Sequence, residues 1–265
     1  MLSVVDKVVI VTGGSNGIGA EIVAQFLQAG AKYVAILDIN KDAGISLENK
    51  LNKKHGERAK FIECDVTKDG DLKTAFDEVI VENGYIDLVV NNAGIGDERK
   101  YKSVIEINVT ALVTSTLMSL ELMRKDKGGR GGTIINISSI GALSLKCPTL
   151  FIYCATKAAV LQFTTAMGMK PYYDKTNVRM ICVCFGITNT DIIPNLHSFD
   201  PEVTESIPKL VQSYCVAQSP EDAGKGVVEV YEKADSGSVW FIASSEPPKN
   251  ITENIESAYG MMLGE

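Results

Sequence analysis

The sequence predicts an α/β fold, a single doubly wound parallel sheet of about seven strands with helices on both faces. Three observations carry that expectation. Short runs rich in Val and Ile alternate with longer amphipathic ones, several runs are apolar almost throughout, and polar residues gather where the runs end. The strands fall near 7–12, 33–37, 59–63, 87–91, 132–138, 178–184 and 238–243, with helical patterns between them. Stretches 8–11, 34–37, 88–90 and 134–137 are nearly continuous in apolar residues, as strands covered on both sides are.

The first run ends in Thr12-Gly13-Gly14-Ser15-Asn16-Gly17-Ile18-Gly19 and passes straight into an amphipathic segment. Glycines at 13, 17 and 19 let the backbone turn tightly and approach a ligand, while the helix that follows offers free N–H groups and the positive end of its dipole. Such a corner, built from Gly13, Asn16, Gly17, Ile18 and Gly19, suits a phosphate or pyrophosphate. Its spacing is G-x-x-x-G-x-G, not the common G-x-G-x-x-G of dinucleotide sites, and taken alone it is equally an ordinary strand-to-helix connection.

Ligands of such sheets bind beyond the carboxyl ends of the strands. Here those ends are polar: Asp38 after strand two, Asp65 after strand three, Asn91-Asn92-Ala93-Gly94 after strand four, Ser138-Ser139 after strand five and Gly186 after strand six. Asp38 can accept hydrogen bonds from the hydroxyls of an adenosine ribose, or it can serve as a turn or helix-capping residue. A 2′-phosphate there would meet a carboxylate with no arginine nearby, though Lys41 is close, so NAD is expected over NADP. Asp65, followed by Val66 and Thr67, is placed either to contact an adenine edge or to cap the next helix.

Tyr153 and Lys157 stand four residues apart in a segment of high helix propensity, which sets them on one face about 6 Å apart along the axis. A free phenol has a pKa of about 10, so acting as a base near neutrality needs a shift of about three units, or roughly 4 kcal/mol. A neighbouring ammonium acts in that direction, as does the charge of an oxidised nicotinamide. Alone, such a pair is usually an exposed helix surface.

At 265 residues the chain is within reach of one large α/β domain spanning 1–265. Its net charge of −7 argues against nucleic acid, whose binders gather Lys and Arg on one face. The basic cluster Arg124-Lys125-Asp126-Lys127 with Arg130 lies among glycines and reads as a solvated loop. Cysteines at 64, 147, 154, 182, 184 and 215 show no C-x-x-C pairing and are expected as buried free thiols, with no disulfide framework and no metal site. Asp6 and Lys7 break the apolar start, so no signal peptide is expected, and no run approaches the roughly 18 apolar residues of a membrane span. A soluble, cytoplasmic protein is the expectation. Two stretches fall outside the strand–helix rhythm: about 188–219, with Pro194, His197, Pro201 and Pro208, and a tail of about 244–265. The first is either a mobile flap beside the site or a surface excursion with short helices.

In combination and in this order, Thr12-Gly13-x-x-x-Gly17-Ile18-Gly19, Asn91-Asn92-Ala93-Gly94, Ser138-Ser139 and Tyr153-x-x-x-Lys157 resemble the short-chain dehydrogenase/reductase family over residues 7 to about 243. Within it, Val90-Asn91-Asn92-Ala93-Gly94-Ile95 and Ile135-Asn136-Ile137-Ser138-Ser139 look most like NAD-dependent 15-hydroxyprostaglandin dehydrogenases and insect alcohol dehydrogenases. The resemblance implies a Rossmann-type fold and an NAD-dependent oxidoreductase with Tyr153 as base. It also implies that Lys157 holds the ribose hydroxyls and lowers the tyrosine pKa, and that Ser139 orients the substrate oxygen. Asn108 would present a backbone carbonyl to a water that leads the proton to solvent. Asn92, Ala93 and Gly94, with Tyr153 and Lys157, join the implied cofactor site.

Two departures stand out. Ser139 to Tyr153 spans one position more than in the family pattern, so loop 140–152 carries an extra residue, and Ser138 takes the serine's role if the strand end moves. The family's Pro-Gly after strand six is Phe185-Gly186 here. A nicotinamide carboxamide is then expected around Gly186, the backbone of Ile187 and the hydroxyl of Thr190 or Thr188, with Phe185 beside the ring or filling core.

Leu143, Leu145, Pro148, Leu150 and Phe151 in that loop, with Ile192, Ile193, Leu196 and Phe199 in the flap, predict an apolar pocket for a lipophilic secondary alcohol and its ketone. An NADP-dependent carbonyl reductase of the same fold and a catalytically inactive nucleotide-binding protein are the rival expectations. In segments 105–125 and 153–170, Leu117, Leu120, Met123, Leu161, Phe163 and Met167 exceed what one sheet face would cover. The family's helices pair there across a two-fold axis, which implies a homodimer or homotetramer unless they cover only the protomer's own sheet.

Overall fold

In the computed structural model, which describes residues 1–144, 149–214 and 216–264, every apolar run is a strand. β1 (Val8–Thr12) leads into α1 (Gly17–Gln28), β2 (Tyr33–Asp38) into α2 (Lys41–His55), and β3 (Ala59–Glu63) into α3 (Asp69–Asn83). After β4 (Leu88–Asn91) come α4 (Tyr101–Ile105), a π-helical turn (Glu106–Ala111) and α5 (Leu112–Met123). β5 (Gly132–Ser139), α6 (Phe151–Met167), α7 (Lys170–Thr176) and β6 (Val178–Phe185) follow. The flap carries α8 (Pro201–Thr204) and α9 (Ile207–Tyr214), and α10 (Pro220–Lys233) returns the chain to β7 (Val239–Ile242). The tail supplies β8 (Lys249–Asn250) and α11 (Thr252–Leu263).

The strand order is β3-β2-β1-β4-β5-β6-β7-β8. All pairs through β7 are parallel. β8 pairs antiparallel with β7, an edge strand beyond the seven expected. The order reverses between β1 and β4, where Thr12 is in register with Asn91 on one side and Leu37 on the other. The glycine turn and the ends of β2 and β4 therefore share one edge of the sheet.

Successive residues of a strand face opposite sides, and the two cores follow. Val9, Val11, Val34, Ile36, Val90 and Ile135 pack with Ile22 and Phe26 of α1 and Val227 and Val230 of α10. Val8, Ile10, Leu37, Val89 and Ile134 pack with Leu72, Phe76 and Val79 of α3 and Leu120 and Met123 of α5. Each such side chain contributes about 1.5–3 kcal/mol when fully buried, so both sides of the central strands must be apolar.

Between β4, β5, α5 and α6 this core admits polar groups. Asn91 Nδ2 donates to Asn136 Oδ1 (2.8 Å) and to Thr116 Oγ1 (3.1 Å), and Ser115 Oγ donates to Asn91 Oδ1 (2.6 Å). Thr116 Oγ1 donates to Asn136 Oδ1 (3.2 Å), and Asn136 Nδ2 to Thr164 Oγ1 (3.0 Å). All five side chains are buried. The helical run Glu98–Met123 is long and apolar enough to cross a membrane by composition, with mean hydropathy 1.4, which a count of unbroken apolar residues misses. Its buried Asn108, Ser115 and Thr116 hydrogen-bond to neighbouring elements, as in a core helix.

Several side chains expected at a helical surplus lie in the protomer's own cores. Leu120, Met123 and Leu161 are buried there, Met167 packs against one of them, Phe163 is half-buried and Leu117 is exposed. Ile251 and Ile255 of the tail cover Leu161, Cys182, Cys184 and Val239. Cys64, Cys182 and Cys184 are buried free thiols, whereas Cys154 is only half-buried. Leu145, Cys147, Pro148 and Cys215 lie outside the described residues.

Asn136→Ala removes three of the buried hydrogen bonds and takes the acceptor from the Thr116 hydroxyl, while Asn91 Nδ2 keeps Thr116 Oγ1 and the Thr164 hydroxyl keeps the Val160 carbonyl. It is expected to lower the unfolding free energy by about 2–4 kcal/mol, read from urea unfolding.

Candidate active site

Gly13 (φ +62°) and Gly17 (φ +53°) adopt the left-handed conformation that glycine alone takes without strain. A Cβ on Gly19 would lie 2.0 Å from the Gly13 carbonyl oxygen, so the turn closes on itself only with glycine there. Two neighbouring strands hold it. From β4, Asn92 Nδ2 donates to the carbonyls of Thr12 (3.2 Å) and Gly13 (3.0 Å), and Thr12 Oγ1 accepts the N–H groups of Asn92 and Ala93. From β2, Asp38 accepts the N–H of Ser15 (3.0 Å) and, on its other oxygen, that of Asn40 (2.9 Å). Asn16, the N-cap of α1, makes no side-chain cap bond, and the first turn has no acidic residue. The positive helix end thus opens on the cleft without a counter-charge of its own, a ready site for an anion.

Asp65 is not the cap of α3, since that position is Lys68. Its Oδ1 instead accepts the N–H and hydroxyl of Thr67 (3.1 and 2.7 Å), and the hydroxyl bond holds its carboxyl below the usual range.

A cleft of about 450 Å³ runs along these strand ends, a volume typical of small-molecule sites. Every residue nominated from the sequence as catalytic or cofactor-binding lines it except Asn108. Asn108 lies in the π-helical turn behind the cleft, fully buried. Its Oδ1 accepts the N–H of Ile95 (2.9 Å), and its Nδ2 donates to the Ile95 carbonyl (3.0 Å) and to Thr156 Oγ1 (3.2 Å), bridging the loop after β4 to α6.

On β5 the pleat separates the two serines. Ser138 is buried and its hydroxyl donates to the Lys157 carbonyl (2.8 Å), whereas Ser139 is half-buried at the cleft and accepts the N–H of Gly141 (3.1 Å). The serine open to a ligand is therefore Ser139. On α6, Lys157 Nζ lies 5.8 Å from the centroid of the Tyr153 ring and donates to the Ile137 carbonyl (3.0 Å). Burial pushes this ammonium down to about 8.

After β6, Thr188 is buried, its hydroxyl donating to the Gly186 carbonyl (3.2 Å) and accepting from Gln218 Nε2 (3.0 Å). Thr190 is the more open of the two threonines and rests against Gly17. Phe185 borders the cleft yet is buried in the core with Val183 and Ile242. On the flap side, Leu150, Leu196 and Ile207 cluster with Tyr153, Cys154, Ile192, Ile193 and Val211. Phe151 and Phe199 do not join them. They are exposed and face each other outside, ring centroids 5.6 Å apart, and Leu143 is exposed as well. Among the described residues that line the cleft, Lys157 is the single cation, and no group of three or more metal-binding side chains is gathered in the described residues.

Two contributors carry no sequence signal. Gln218 Nε2 also donates to the Ile242 carbonyl (3.0 Å) and ties the far end of the flap to β7. Glu98, fully buried, accepts the N–H of Ile152 (2.6 Å) and of Tyr153 (2.9 Å) on its Oε1, from 54 and 55 residues away in sequence.

Residues 7–200 match the family described as short chain dehydrogenase. The chain belongs to that family. Among curated relatives of this short-chain dehydrogenase, 15-hydroxyprostaglandin dehydrogenase (NAD(+)) of Homo sapiens is 30% identical over 246 residues, covering 91% of this chain and 92% of its own. Alcohol dehydrogenase 2 of Ceratitis capitata is 32% identical over 237 residues, covering 89% and 90%. The structure of 3-ketoacyl-(acyl-carrier-protein) reductase from Brucella melitensis complexed with NADH superposes with a TM-score of 0.75 at 22% identity, covering 91% of this chain and 97% of that one, a likeness of fold. In this short-chain dehydrogenase the end of β5 stays in register with β6, with Ser139 opposite Phe185.

Lys157 makes the site a local instability. Its ammonium titrates near 8 in the folded chain and near 10.4 when unfolded, a folded value lowered by burial. Below about 8 both states hold the proton and the folded state bears the full penalty; as pH rises toward about 10.4 the folded state has already shed it, and the penalty fades. Lys157→Met should therefore raise the unfolding free energy of the ligand-free protein by about 1–3 kcal/mol at pH 7 and by much less at pH 10, read from urea unfolding at both.

Proposed function

We propose that this chain is an NAD-dependent dehydrogenase that interconverts a lipophilic secondary alcohol and its ketone, with Tyr153 as acid and base. The observation that carries this is a single cleft with an open helix end and Asp38 on one side and Ser139, Tyr153 and Lys157 on the other. The residues fit a dinucleotide. The α1 N-terminus takes the pyrophosphate, and Asp38 accepts hydrogen bonds from the adenosine ribose while opposing a 2′-phosphate. Asp65 and Val66 border the adenine, with Asn92, Ala93 and Gly94 along the middle. Gly186, Ile187 and Thr190, with Thr188 behind them, border the nicotinamide end. Lys41, the nearby cation, is paired with Glu63 at 3.1 Å, which supports NAD over NADP. The NAD(+) in the name of the human relative points the same way.

When bound, NAD would supply the acceptor for the hydride that leaves the alcohol carbon, and a positive charge. Tyr153 takes the hydroxyl proton as the ketone forms, and Ser139 donates a hydrogen bond to the substrate oxygen. At its pKa of about 8, Lys157 is still mostly protonated at neutral pH. Its charge, 5.8 Å from the ring centroid, acts in the direction that stabilises a phenolate and so supplies part of the roughly 4 kcal/mol that neutral-pH base catalysis needs. Asn108 offers its backbone carbonyl to the water through which the proton leaves.

The apolar flap cluster favours a neutral, lipophilic substrate, because among the described residues that line the cleft a carboxylate would find no cation beyond Lys157. We also propose a homodimer or homotetramer through the outer faces of α4, α5 and α6, where Ile105, Leu117 and Leu122 are exposed.

Turnover of a panel of neutral and acidic secondary alcohols with NAD and with NADP tests the proposal. NADH is expected from lipophilic members; Tyr153→Phe should lower kcat roughly 10²–10⁴-fold, and Asp38→Ala should narrow the preference for NAD by about tenfold or more. No turnover of any member, a preference for NADP, or full activity in Tyr153→Phe would overturn it.

A further inference from the structure

We infer that Glu98, which belongs to none of the motifs above, is a positioning residue that fixes Tyr153 by capping the helix that carries it. This rests on Tyr153 being the acid and base. α6 starts without a cap of its own: the N-cap position is Leu150, which makes no side-chain cap bond, and the first turn holds no acidic residue. The leading N–H groups of a helix need acceptors, and a carboxylate at that end also meets the positive pole of the dipole. Glu98 provides both from another part of the chain, its Oε1 accepting the N–H of Ile152 at 2.6 Å and of Tyr153 at 2.9 Å. The second bond is to the backbone of the reacting residue itself. A displaced carboxylate would therefore move the phenol, not merely fray a helix end.

The backbone of Glu98 is in turn joined to the flap. Its N–H donates to the His197 carbonyl (2.8 Å), and the His197 N–H donates to the Gly96 carbonyl (3.2 Å). Leu196 packs over Gly96 so closely that a Cβ there would fall 2.4 Å from its Cδ2. The same Leu196 belongs to the apolar cluster with Tyr153, Ile192 and Ile193. Loop 96–98 is thus the joint between the substrate side of the cleft and the reacting phenol, whereas the glycine turn is held by Asn92 and Asp38. Loss of Glu98 should consequently act on turnover and spare the cofactor half. A merely structural cap would change stability and leave the kcat of folded enzyme untouched.

The experiment compares Glu98→Ala, Glu98→Gln and Glu98→Asp with wild type and Tyr153→Phe. The substrate is the panel alcohol that wild type turns over fastest, and NADH affinity is measured by fluorescence titration on the same preparations. Gln keeps an oxygen where Oε1 stands, while Asp is one methylene short. Ala and Asp are expected to lower kcat roughly ten- to hundredfold with the NADH Kd within about twofold, and Gln to stay within about threefold of wild type. If Ala fails to fold, the contrast between Asp and Gln carries the same test. A kcat within about twofold of wild type in both Ala and Asp, Gln no better than Asp, or NADH affinity lost in step with kcat overturns the inference. Tyr153→Phe separates the two levels. If it stays active, the acid/base assignment is what failed; if it is inactive while the Glu98 variants are normal, only the role of Glu98 is.

Discussion

Asn136 hydrogen-bonds in three directions from the middle of β5, and the placement of Ser139, Tyr153 and Lys157 depends on those bonds. Hydrophobic burial holds α6 against the sheet, but burial is not directional and would tolerate a helix slid or rotated by part of a turn. The Asn136–Thr164 bond removes that freedom. With α6 fixed two turns further along, the Lys157 carbonyl meets the Ser138 hydroxyl, its ammonium meets the Ile137 carbonyl, and Tyr153 comes to the end of β5 beside Ser139. The opposite bond, to Asn91, ties β4 into the same frame, and Asn92, the next residue, grips the glycine turn. A polar network inside an apolar core thus sets register where packing alone would not.

The two ends of the cleft work by opposite physics. At the turn, charge is managed by backbone N–H groups, a helix end and carboxylates close to solvent, all suited to a hydrated anion and ribose hydroxyls. At the other end, Lys157 is buried with its ammonium on the Ile137 carbonyl, where the low dielectric that would strengthen its pull on a neighbouring anion also makes it costly without one. In the proposed reaction, stability and catalysis are opposed at Lys157 for a single reason, its burial.

Much of this was legible in the sequence because it is local. Strands buried on both sides leave unbroken apolar runs, a turn that needs left-handed backbone leaves glycines, and a helix that aligns two groups leaves them four apart. The eighth strand was missed because two residues of tail leave no pattern to read. Leu120, Met123 and Leu161 looked like surplus only because a helix between sheet and neighbours can bury more than one stripe. Apolarity alone places Phe151 and Phe199 in the pocket but does not say which way a side chain turns; here each satisfies the other on the outside. Glu98 and Asn136 were invisible for a different reason. One reads as a charge in a polar loop and the other as a break in a strand, and only partners dozens of residues away give either its meaning.

That difference in range divides the site itself. The cofactor half is held by bonds between adjacent strand ends, from Asn92 and Asp38 to a turn that β1 already places beside them. The substrate half is assembled from pieces outside the sheet: loop 96–98 and the flap, which meet in an isolated bridge between Asp97 and His197, and the start of α6, joined through Glu98 and packed through Leu196. Changes in the flap can therefore reshape the apolar end, while Thr190, resting against Gly17, carries a contact from the flap to the glycine turn. Such changes reach Tyr153 through the packing of Leu196 and through Glu98, whose backbone meets His197.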